Sequence, residues 1–548
     1  MGKVTRNPTN SLSISDTQPD AIPAPSIPNR WSWLRLSHSH SAFSATLLIM
    51  GSTFLSGVLG LVRTKYINHI FGAGQATDAY NAAFQLPDML SYFLVGGVAS
   101  ISLISILNRY RHAGDEEGAD RALSIVLNAM MVVLTIAIII AEIFAPLYTR
   151  IFLSKFTPEN KLLCTQLTRM ILPGPLFFFI GGVLGSRLLV RKIFLYQAIT
   201  PLIYNLGIIF GAIFLSHRYG IYSLAIGVMA GVIVGPAAFT AYGAFRNGLK
   251  YSPILNLRHP AFWEWLRLTF PLMIGVSLTF ADKWILNYYA ASVGGGISRL
   301  TVAKSLFNAP MTILGSAAGA ASLPFFSSLF SQGRLSDFAS AVNRSVTRVL
   351  ATALLAGAWM VALSFPIIDL FRGGSFNLSD AIETSQYFTI FSISIAFWAA
   401  QAIYSRSFYA AGNTMTPAIA GWAVTLISIP IYALLFHQTG VAGLAIASDI
   451  GMVLSTLTLA ILLHRNKLVS LAGLEYGELA RALLAALIAF AGTAWVVNQT
   501  TSLFHLHRGH PTDIISIAIG TTTWAILAAA TLLATRSTLP NQLLRRKP

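Results

Sequence analysis

Long apolar stretches recur along most of the 548-residue chain, and short polar connections separate them. A helix of about 20 apolar residues crosses the roughly 30 Å hydrocarbon layer of a bilayer. The pattern therefore predicts an all-α polytopic membrane protein with 14 transmembrane helices. The predicted spans are approximately residues 43–71, 79–107, 122–147, 164–186, 193–216, 219–245, 262–292, 299–331, 339–371, 382–410, 415–437, 440–464, 475–497 and 513–535.

The first predicted span carries an arginine before its apolar pattern ends. Helical spacing places Arg63 on one face with Ser52, Ser56, Gly60 and Ile67, which is the small and polar stripe of the helix. An arginine at membrane depth is costly and usually faces a bundle interior or a wet cavity. We therefore expect an anion-binding cavity beside it. The alternative is an arginine that reaches the membrane surface and anchors the helix end.

The chain also repeats itself. Residues 84–107 resemble 307–330, and residues 186–203 resemble 405–419. Parallel repeats of this kind place a substrate site between two lobes that rock around it. We predict a disordered basic tail at 1–42, an N-terminal six-helix lobe at 43–250, a C-terminal six-helix lobe at 251–467, two additional transmembrane helices at 468–536 and a second tail at 537–548.

The composition excludes several other classes of protein. The chain is 55% hydrophobic and 10% charged, with a mean hydropathy of +0.65, a balance that soluble globular proteins do not have. Most of its 37 lysines and arginines fall in the tails and the even-numbered connections, so the net charge of +17 predicts cytoplasmic termini and not nucleic-acid binding. The chain has one cysteine and contains no Walker A, HExxH or GxSxG motif, so we expect neither catalysis nor a metal site. The HLHRGH stretch at 505–510 is interpreted as solvated histidines, with metal binding as the weaker alternative.

Intramembrane charge is concentrated in the first two spans of each predicted lobe. On the eighth span, Lys304 lies on one stripe with Thr301, Asn308 and Thr312, so we expect it to point inward. Cations on facing surfaces suit a ligand with concentrated negative charge, such as a phosphate or diphosphate. The charged residues are Arg63, Lys65, Asp78 and Asp88 in the first lobe, and Asp282, Lys283, Arg299 and Lys304 in the second.

Each of these residues also has a structural interpretation. Asp78 is at a predicted helix start, where a carboxylate favours the helix dipole. Asp282 stands beside Lys283 and the two could neutralise each other. Arg299 follows a glycine-rich connection and could be solvated, and Arg406 begins a cytoplasmic connection where it could act as an orientation anchor.

Several motifs resemble those of the MurJ (MviN) family of lipid II flippases, within the multidrug/oligosaccharidyl-lipid/polysaccharide exporter superfamily. The stretches are SGVLGLVRTKYINHIFGAGQATDAYNAAFQLPDML at 56–90, FPLMIGVSL at 270–278, ASLPFFSSLFSQG at 321–333, LFRGGSFNLSD at 370–380 and FYAAGNTMTP at 408–417. The resemblance implies movement of an undecaprenyl-diphosphate-linked disaccharide-pentapeptide from the inner to the outer leaflet for peptidoglycan synthesis. It also implies coupling to the membrane potential or to an ion gradient.

The resemblance assigns Arg63 as the family's cavity arginine and Asp78 as the aspartate of its ATDA motif. Other positions depart from the family pattern. Family arginines are replaced at Gly57, Ser91, Tyr92 and Ser305, a family acidic residue is replaced at Gly96, and a family aspartate is replaced at Asn413. The cavity is thus expected to hold fewer family charges, with Lys283, Lys304 and Arg299 as candidate substitutes.

These observations together predict a lipid II flippase of the bacterial inner membrane that works by alternating access. Arg63 and Lys304 would hold the diphosphate, helped by Lys283 and Arg299, while Asp78 also belongs to the binding site. Coupling or gating is assigned to Asp282, Arg406 and Asn413. We expect a monomer whose partners are the lipid-linked oligosaccharide and membrane lipids, without nucleic acid. No bound cofactor is expected, and a Na⁺ or H⁺ gradient or the membrane potential would drive transport. The alternatives are a flippase for another undecaprenyl-diphosphate glycan, an ion-coupled small-molecule exporter and a scaffold for cell-wall enzymes.

Overall fold

The computed structural model describes residues 42–92, 96–273, 278–503 and 510–540, and these residues are almost entirely helical. The sole β feature among them is an isolated bridge between Gly373 and Phe376. The predicted all-α membrane fold is confirmed. Within the described ranges nine helices are long and apolar enough to span a membrane, or ten if the bent pair 378–393 and 395–410 is one span. The count of 14 spans stays a prediction.

Eleven helices form the N-terminal half. They are α1 (Ala42–Phe71), α2 (Gln75–Ala83), α3 (Gln85–Leu90), α4 (Gly96–His112), α5 (Glu116–Phe152), α6 (Pro158–Ile171), α7 (Gly174–Val190), α8 (Leu195–Phe210), α9 (Ser216–Tyr219), α10 (Tyr222–Val232) and α11 (Thr240–Arg246). Short π-helical segments, Gly211–Leu215 and Ile233–Phe239, join α8 to α9 and α10 to α11.

Twelve helices form the remainder. They are α12 (Pro260–Met273), α13 (Leu278–Ala290), α14 (Gly296–Met311), α15 (Ala318–Ser331), α16 (Leu335–Ala362), α17 (Ser364–Asp369), α18 (Leu378–Ile393), α19 (Ile395–Ala410), α20 (Met415–Thr439), α21 (Val441–Arg465), α22 (Tyr476–Leu503) and α23 (His510–Ala534). A π-helical segment, Thr312–Ala317, joins α14 to α15, and a 3₁₀ turn, Leu471–Gly473, precedes α22.

The backbone repeats itself where helices end. Lys192 and Gly412 both have positive φ, at 62° and 74°, and so do Gly220 and Gly440, at 53° and 64°. Both pairs are 220 residues apart, close to the offsets of 223 and 219 residues between the sequence repeats. A left-handed residue after a helix ends it and turns the chain, so the two halves reverse direction at matching positions.

The seventh predicted span divides its packing between the two halves. Helix α12 packs on α4 and α5, where Trp265 is fully buried against Phe179 at 6.4 Å between ring centroids. Helix α13 packs instead on α20 and α21. The predicted lobe boundary at residue 250 stays a prediction. What the packing shows is that one predicted span contacts both halves.

Helices α22 and α23 pack on the outside of the C-terminal half, against α16 and α17. The Trp359 indole nitrogen donates to Thr521 Oγ1 at 2.9 Å, and that of Trp524 donates to the Leu355 carbonyl at 2.9 Å. Small side chains such as Ala485 and Ala489 let α22 approach closely.

We call the end of the bundle that contains the connections 72–74 and 291–295 the Asp78 end. The opposite end is the Arg187 end. Arg187 is buried there in an ion pair with Asp120, with Nε–Oδ1 at 2.6 Å and Nη2–Oδ2 at 3.0 Å, and it also donates to the carbonyls of Asn247 and Gly248. Fully hydrogen-bonded pairs of this kind fix the relative positions of neighbouring helices.

Candidate functional site

The polar stripe of α1 packs on α8. Arg63 Nη1 donates to Asn205 Oδ1 at 3.0 Å, and Asn205 Nδ2 donates to Ser56 Oγ at 3.2 Å. On the other face of α1, Met50 and Phe54 are 65% and 70% exposed, as expected for side chains that contact lipid. Arg63 therefore faces the protein and not the acyl chains.

Arg63 opens into a cavity of about 230 Å³ between the two halves of the chain. The lining side chains come from α1, α2, α3 and α8 on one side and from α13 and α14 on the other. They are Arg63, Thr64, Ile67, Asn68, Thr77, Tyr80, Asn81, Phe84, Asp88, Tyr204, Lys283, Ser298, Thr301, Val302 and Ser305. Among the described residues, the charged lining consists of two cations and one carboxylate.

Lys283 crosses this cavity from the second half to the first. Its Nζ donates to Asp88 Oδ2 at 2.6 Å, and both side chains remain about two-fifths exposed. The pair therefore keeps contact with solvent, and a pair in that environment contributes about 0–1 kcal/mol. Because the bond is weak, an anion of higher charge than a carboxylate can displace Asp88 from the ammonium group.

Asp78 does not line the cavity. It lies in the first turn of α2, and its carboxylate reaches the start of α14 in the other half of the chain. It accepts hydrogen bonds from the Gly295 and Ser298 amides, both at 2.7 Å, and from Ser298 Oγ at 2.6 Å. The carboxylate thus binds the amides that a helix start leaves unpaired and complements the helix dipole. We call these three contacts the Asp78 latch.

A second contact closes the same end. The Ser375 amide donates to the His69 carbonyl at 2.9 Å, and Ser375 Oγ donates to the Ile70 carbonyl at 3.1 Å, which satisfies the last turn of α1. Gly374 has φ of 57°, and a Cβ there would lie 2.0 Å from the His69 carbonyl oxygen. Only glycine fits this approach. The cavity is therefore covered at the Asp78 end.

Lys304 points away from the cavity, into the interior of the C-terminal half. Its ammonium donates to Asp282, whose other oxygen accepts a hydrogen bond from the Tyr432 hydroxyl. The ammonium also lies 5.1 Å from the ring centre of Phe391 and 6.0 Å from that of Trp398. The expectation that Lys304 faces the shared cavity is therefore not what the structure shows, because Asp282 holds it within its own half.

Asp282 and Lys283 do not neutralise each other, although they are adjacent. Each pairs with a distant partner on a different side of α13, Asp282 with Lys304 and Lys283 with Asp88. This helix thus connects the buried charge cluster of one half to the cavity between the halves.

Arg299 is buried and contributes no surface to the cavity. Its Nη1 lies 3.1 Å from Asp380 Oδ1, its Nε lies 3.3 Å from Glu383 Oε2, and its Nη2 donates to the Gly294 carbonyl at 3.0 Å. The alternative of a solvated Arg299 is therefore not what the structure shows, and the guanidinium expected to contact substrate instead joins α14 to α18 beside the Asp78 latch.

The two predicted gating residues on and beside α19 lie nearer the Arg187 end. Arg406 Nη1 donates to the Ala402 carbonyl at 3.1 Å, and its side chain lies against Gly319 of α15. Asn413 caps the start of α20, since its Oδ1 accepts from the Thr416 amide at 3.0 Å. Neither side chain is in the cavity lining.

The positions that depart from the family pattern are scattered. Ser305 lines the cavity, whereas Gly57 lies on an exposed part of α1 with no heavy atom within 4 Å of a Cβ placed there. Ser91 and Tyr92 follow α3 and are partly buried. Residues 504–509, which include His505 and His507, lie outside the described residues. The side chains around Gly96 are not described either. In the described chain no three His, Cys, Asp or Glu residues are arranged to hold a metal ion.

Two features of the site were not anticipated from the sequence. Asn205 orients Arg63, and Asn81 Nδ2 donates to Ser298 Oγ across the halves at 3.3 Å. Both are single amides within apolar or mixed stretches, and a buried amide needs a hydrogen-bond partner. That requirement marks them as contacts between helices, but it does not identify the partner.

Comparison with known proteins agrees with this architecture. A family model described as lipid II flippase MurJ matches residues 67–511. The lipid II flippase MurJ of Thermosipho africanus is 27% identical over 420 residues, covering 76% of this chain and 85% of that protein. The one from Burkholderia cenocepacia is 26% identical over 449 residues, covering 77% and 84%.

Solved structures give the same result for the fold. A lipid II flippase MurJ in an inward closed conformation aligns with a TM-score of 0.72 and 25% identity, over 91% of this chain and 100% of that chain. An inward-facing MATE family multidrug resistance transporter of the MOP superfamily aligns with a TM-score of 0.64 and 16% identity, over 77% and 98%. At 16% identity the second likeness shows the fold alone.

Proposed function

The chain belongs to the lipid II flippase MurJ family, a family of transporters and not of enzymes, and we propose that its central cavity carries the diphosphate of lipid II across the membrane. Arg63 and Lys283 are the two cations that line the cavity between the halves. This is the observation that carries the proposal. A guanidinium and an ammonium together suit a diphosphate, because the first binds oxygens in pairs and the second is a compact charge.

The binding step is an exchange of partners. Lys283 leaves Asp88 and donates to a phosphate oxygen, while Arg63 stays oriented by Asn205. Thr301, Ser305 and Asn81 line the same space and keep it polar. The polyprenyl tail stays in the bilayer throughout, since it has no polar group to satisfy.

The cavity volume supports alternating access. At about 230 Å³ the space is below the roughly 300–1,000 Å³ of pockets that enclose drug-sized ligands, so it holds a phosphate-sized group and not a whole disaccharide-pentapeptide. The halves must separate for the headgroup to enter. We place both termini in the cytoplasm of a bacterium and the Asp78 end outside, so that the described state is closed to the outside. One chain contains both halves of the cavity, which supports a monomer.

For the energy source we propose protons and the membrane potential in preference to Na⁺. The Lys304 ammonium already occupies the space beside Asp282 and Tyr432 where a free cation would bind. Asp449 lies in the same cluster, accepts from Ser394 Oγ at 2.6 Å and forms no ion pair within the described chain. The cluster holds two carboxylates and one ammonium, so it has room for one further positive charge, which a proton on Asp449 supplies.

A complementation experiment tests the proposed function. A strain depleted of its own lipid II flippase should grow when it expresses this chain, and the R63Q/K283Q variant should fail at equal membrane abundance. Lys65→Gln is the matched control, because Lys65 is exposed, close to Arg63 and outside the cavity lining. Growth of the double variant at the wild-type rate would contradict the assignment. Rescue of a glycan-export strain, and not of the depleted one, would identify a different diphosphate-linked substrate.

A further inference from the structure

A second concave site lies at the Arg187 end, between α15 and α16, and it shares no lining residue with the central cavity. It encloses about 330 Å³ and is lined on α16 by Asp337, Ala341, Arg344, Ser345 and Arg348. Their spacing places them on one stripe of the helix. Phe325 and Leu329 of α15 form the apolar side, and Arg334 closes the turn. We call this site the Arg344 pocket.

The pocket has an excess of positive charge. Arg334 is neutralised by Asp337, with Nη2–Oδ2 at 2.8 Å. Arg344 and Arg348 have no carboxylate partner within the described chain, and the one hydrogen bond found for either guanidinium is a long contact from Arg344 Nε to the Ser340 carbonyl at 3.4 Å. Like charges one helical turn apart repel each other, so a bound anion between them would relieve that repulsion.

The position of the pocket along α16 indicates the depth in the bilayer at which its ligand lies. Residues 349–368 follow Arg348 without a charged residue. They complete α16 and include most of α17, and about 20 uncharged residues are enough to cross the roughly 30 Å hydrocarbon layer. Arg344 and Arg348 are therefore at the level of the lipid headgroups. Phe325 is 59% exposed and lines the same pocket as the guanidinium groups, so an acyl chain can contact it.

We propose that the Arg344 pocket binds the headgroup phosphate of an anionic phospholipid from the surrounding leaflet. Two unpaired guanidinium groups supply paired donors for the phosphate, and Phe325 with Leu329 supplies the apolar contact for the lipid. A leaflet phospholipid is the occupant because the pocket places exposed guanidinium groups beside apolar side chains at headgroup level, and phospholipids are in great excess over any transport substrate there. The proposal is independent of which lipid the central cavity carries.

Native mass spectrometry of the full-length protein in detergent, with added dioleoyl-phosphatidylglycerol, tests this proposal. The R344Q/R348Q variant should bind phosphatidylglycerol at least about tenfold more weakly, because it loses charge-assisted hydrogen bonds. The matched control is R465Q/K467Q, which removes the same charge from exposed positions outside the pocket and should change the affinity less than about twofold. The R344K/R348K variant keeps the charge without the paired geometry and should lie between the two.

Three results would overturn the proposal. If R465Q/K467Q loses as much affinity for phosphatidylglycerol as R344Q/R348Q, surface charge alone attracts the lipid. Equal retention of dioleoyl-phosphatidylcholine by the wild type would mean that the phosphate site does not select anionic headgroups. Binding of undecaprenyl diphosphate that R344Q/R348Q abolishes, without an effect on phosphatidylglycerol, would identify a substrate-docking site. If R344Q/R348Q aggregates, R344K/R348K is compared with the wild type instead. Weaker binding of phosphatidylglycerol by R344K/R348K supports the proposal, and equal binding contradicts it.

Discussion

The Asp78 latch predicts that one isosteric substitution will open the Asp78 end. In Asp78→Asn the side chain keeps its shape but loses its charge, and its NH₂ group now faces amide donors. The wild-type carboxylate accepts three hydrogen bonds of 2.6–2.7 Å from Gly295 and Ser298. Hydrogen bonds to a charged group contribute about 1.5–3 kcal/mol each and are not additive, so we take about 3 kcal/mol for the whole latch.

That magnitude corresponds to a roughly 100-fold shift in the ratio of closed to open molecules. The shift can be measured by spin labels on cysteines at Gln75 and Ser292, which are exposed on the two sides of the latch. Cys164 is buried and needs no replacement. The wild type should give one short distance, and Asp78→Asn should add a longer component that dominates the distribution.

The control is Glu159→Gln, which removes an exposed carboxylate at the same end without touching the latch. It should leave the distance distribution unchanged. If Asp78→Asn also leaves it unchanged, the three hydrogen bonds do not hold the halves together, and the reasoning from helix-start amides to closure is refuted.

Three further substitutions test the cavity and the fold. Arg63→Gln should weaken binding of undecaprenyl diphosphate about 10- to 100-fold by native mass spectrometry, since it removes a charged donor; an unchanged affinity would exclude Arg63 from the site. Asp88→Asn should strengthen the same binding by at most about fivefold, because it releases Lys283 from a half-exposed pair; weaker binding would show that Asp88 itself serves the ligand. Arg187→Met should destabilise the protein by about 3–5 kcal/mol in thermal unfolding, because Asp120 is left buried without its partner. The R187M/D120N variant should recover part of that loss, and no recovery would mean that the arginine acts through packing alone.

The helical periodicity of α1 predicted the environment of Arg63 well. The stripe from Ser52 to Ile67 does face the protein, and the opposite stripe is exposed. A membrane helix that contacts both lipid and protein places its apolar side chains on one face and its small and polar side chains on the other. The spacing of these residues in the sequence therefore specifies which face of the helix contacts the protein. The internal repeat also has a counterpart in the backbone, since helices end at left-handed residues at corresponding positions of the two halves.

Periodicity was insufficient for Lys304 and Asp78. It placed Lys304 on a polar stripe with Thr301, and Thr301 does line the cavity. Lys304 itself pairs with Asp282 in its own half. The sequence distance between Asp282 and Lys304 contains no signal of their pairing. Asp78 was assigned to the binding site, with support of its own helix as the alternative. Its carboxylate instead binds the start of α14, because the repeat brings two equivalent helix starts together. Pairing between distant segments is fixed by tertiary packing, which a single helix pattern does not encode.

The most direct test of the central claim follows lipid II itself. In spheroplasts depleted of their own flippase, lipid II that reaches the outer leaflet can be labelled with a membrane-impermeant amine reagent. Cells that express this chain should accumulate labelled lipid II, and cells that express the R63Q/K283Q variant at the same level should not. Equal labelling in both would contradict the claim that the cavity between the two halves carries the diphosphate.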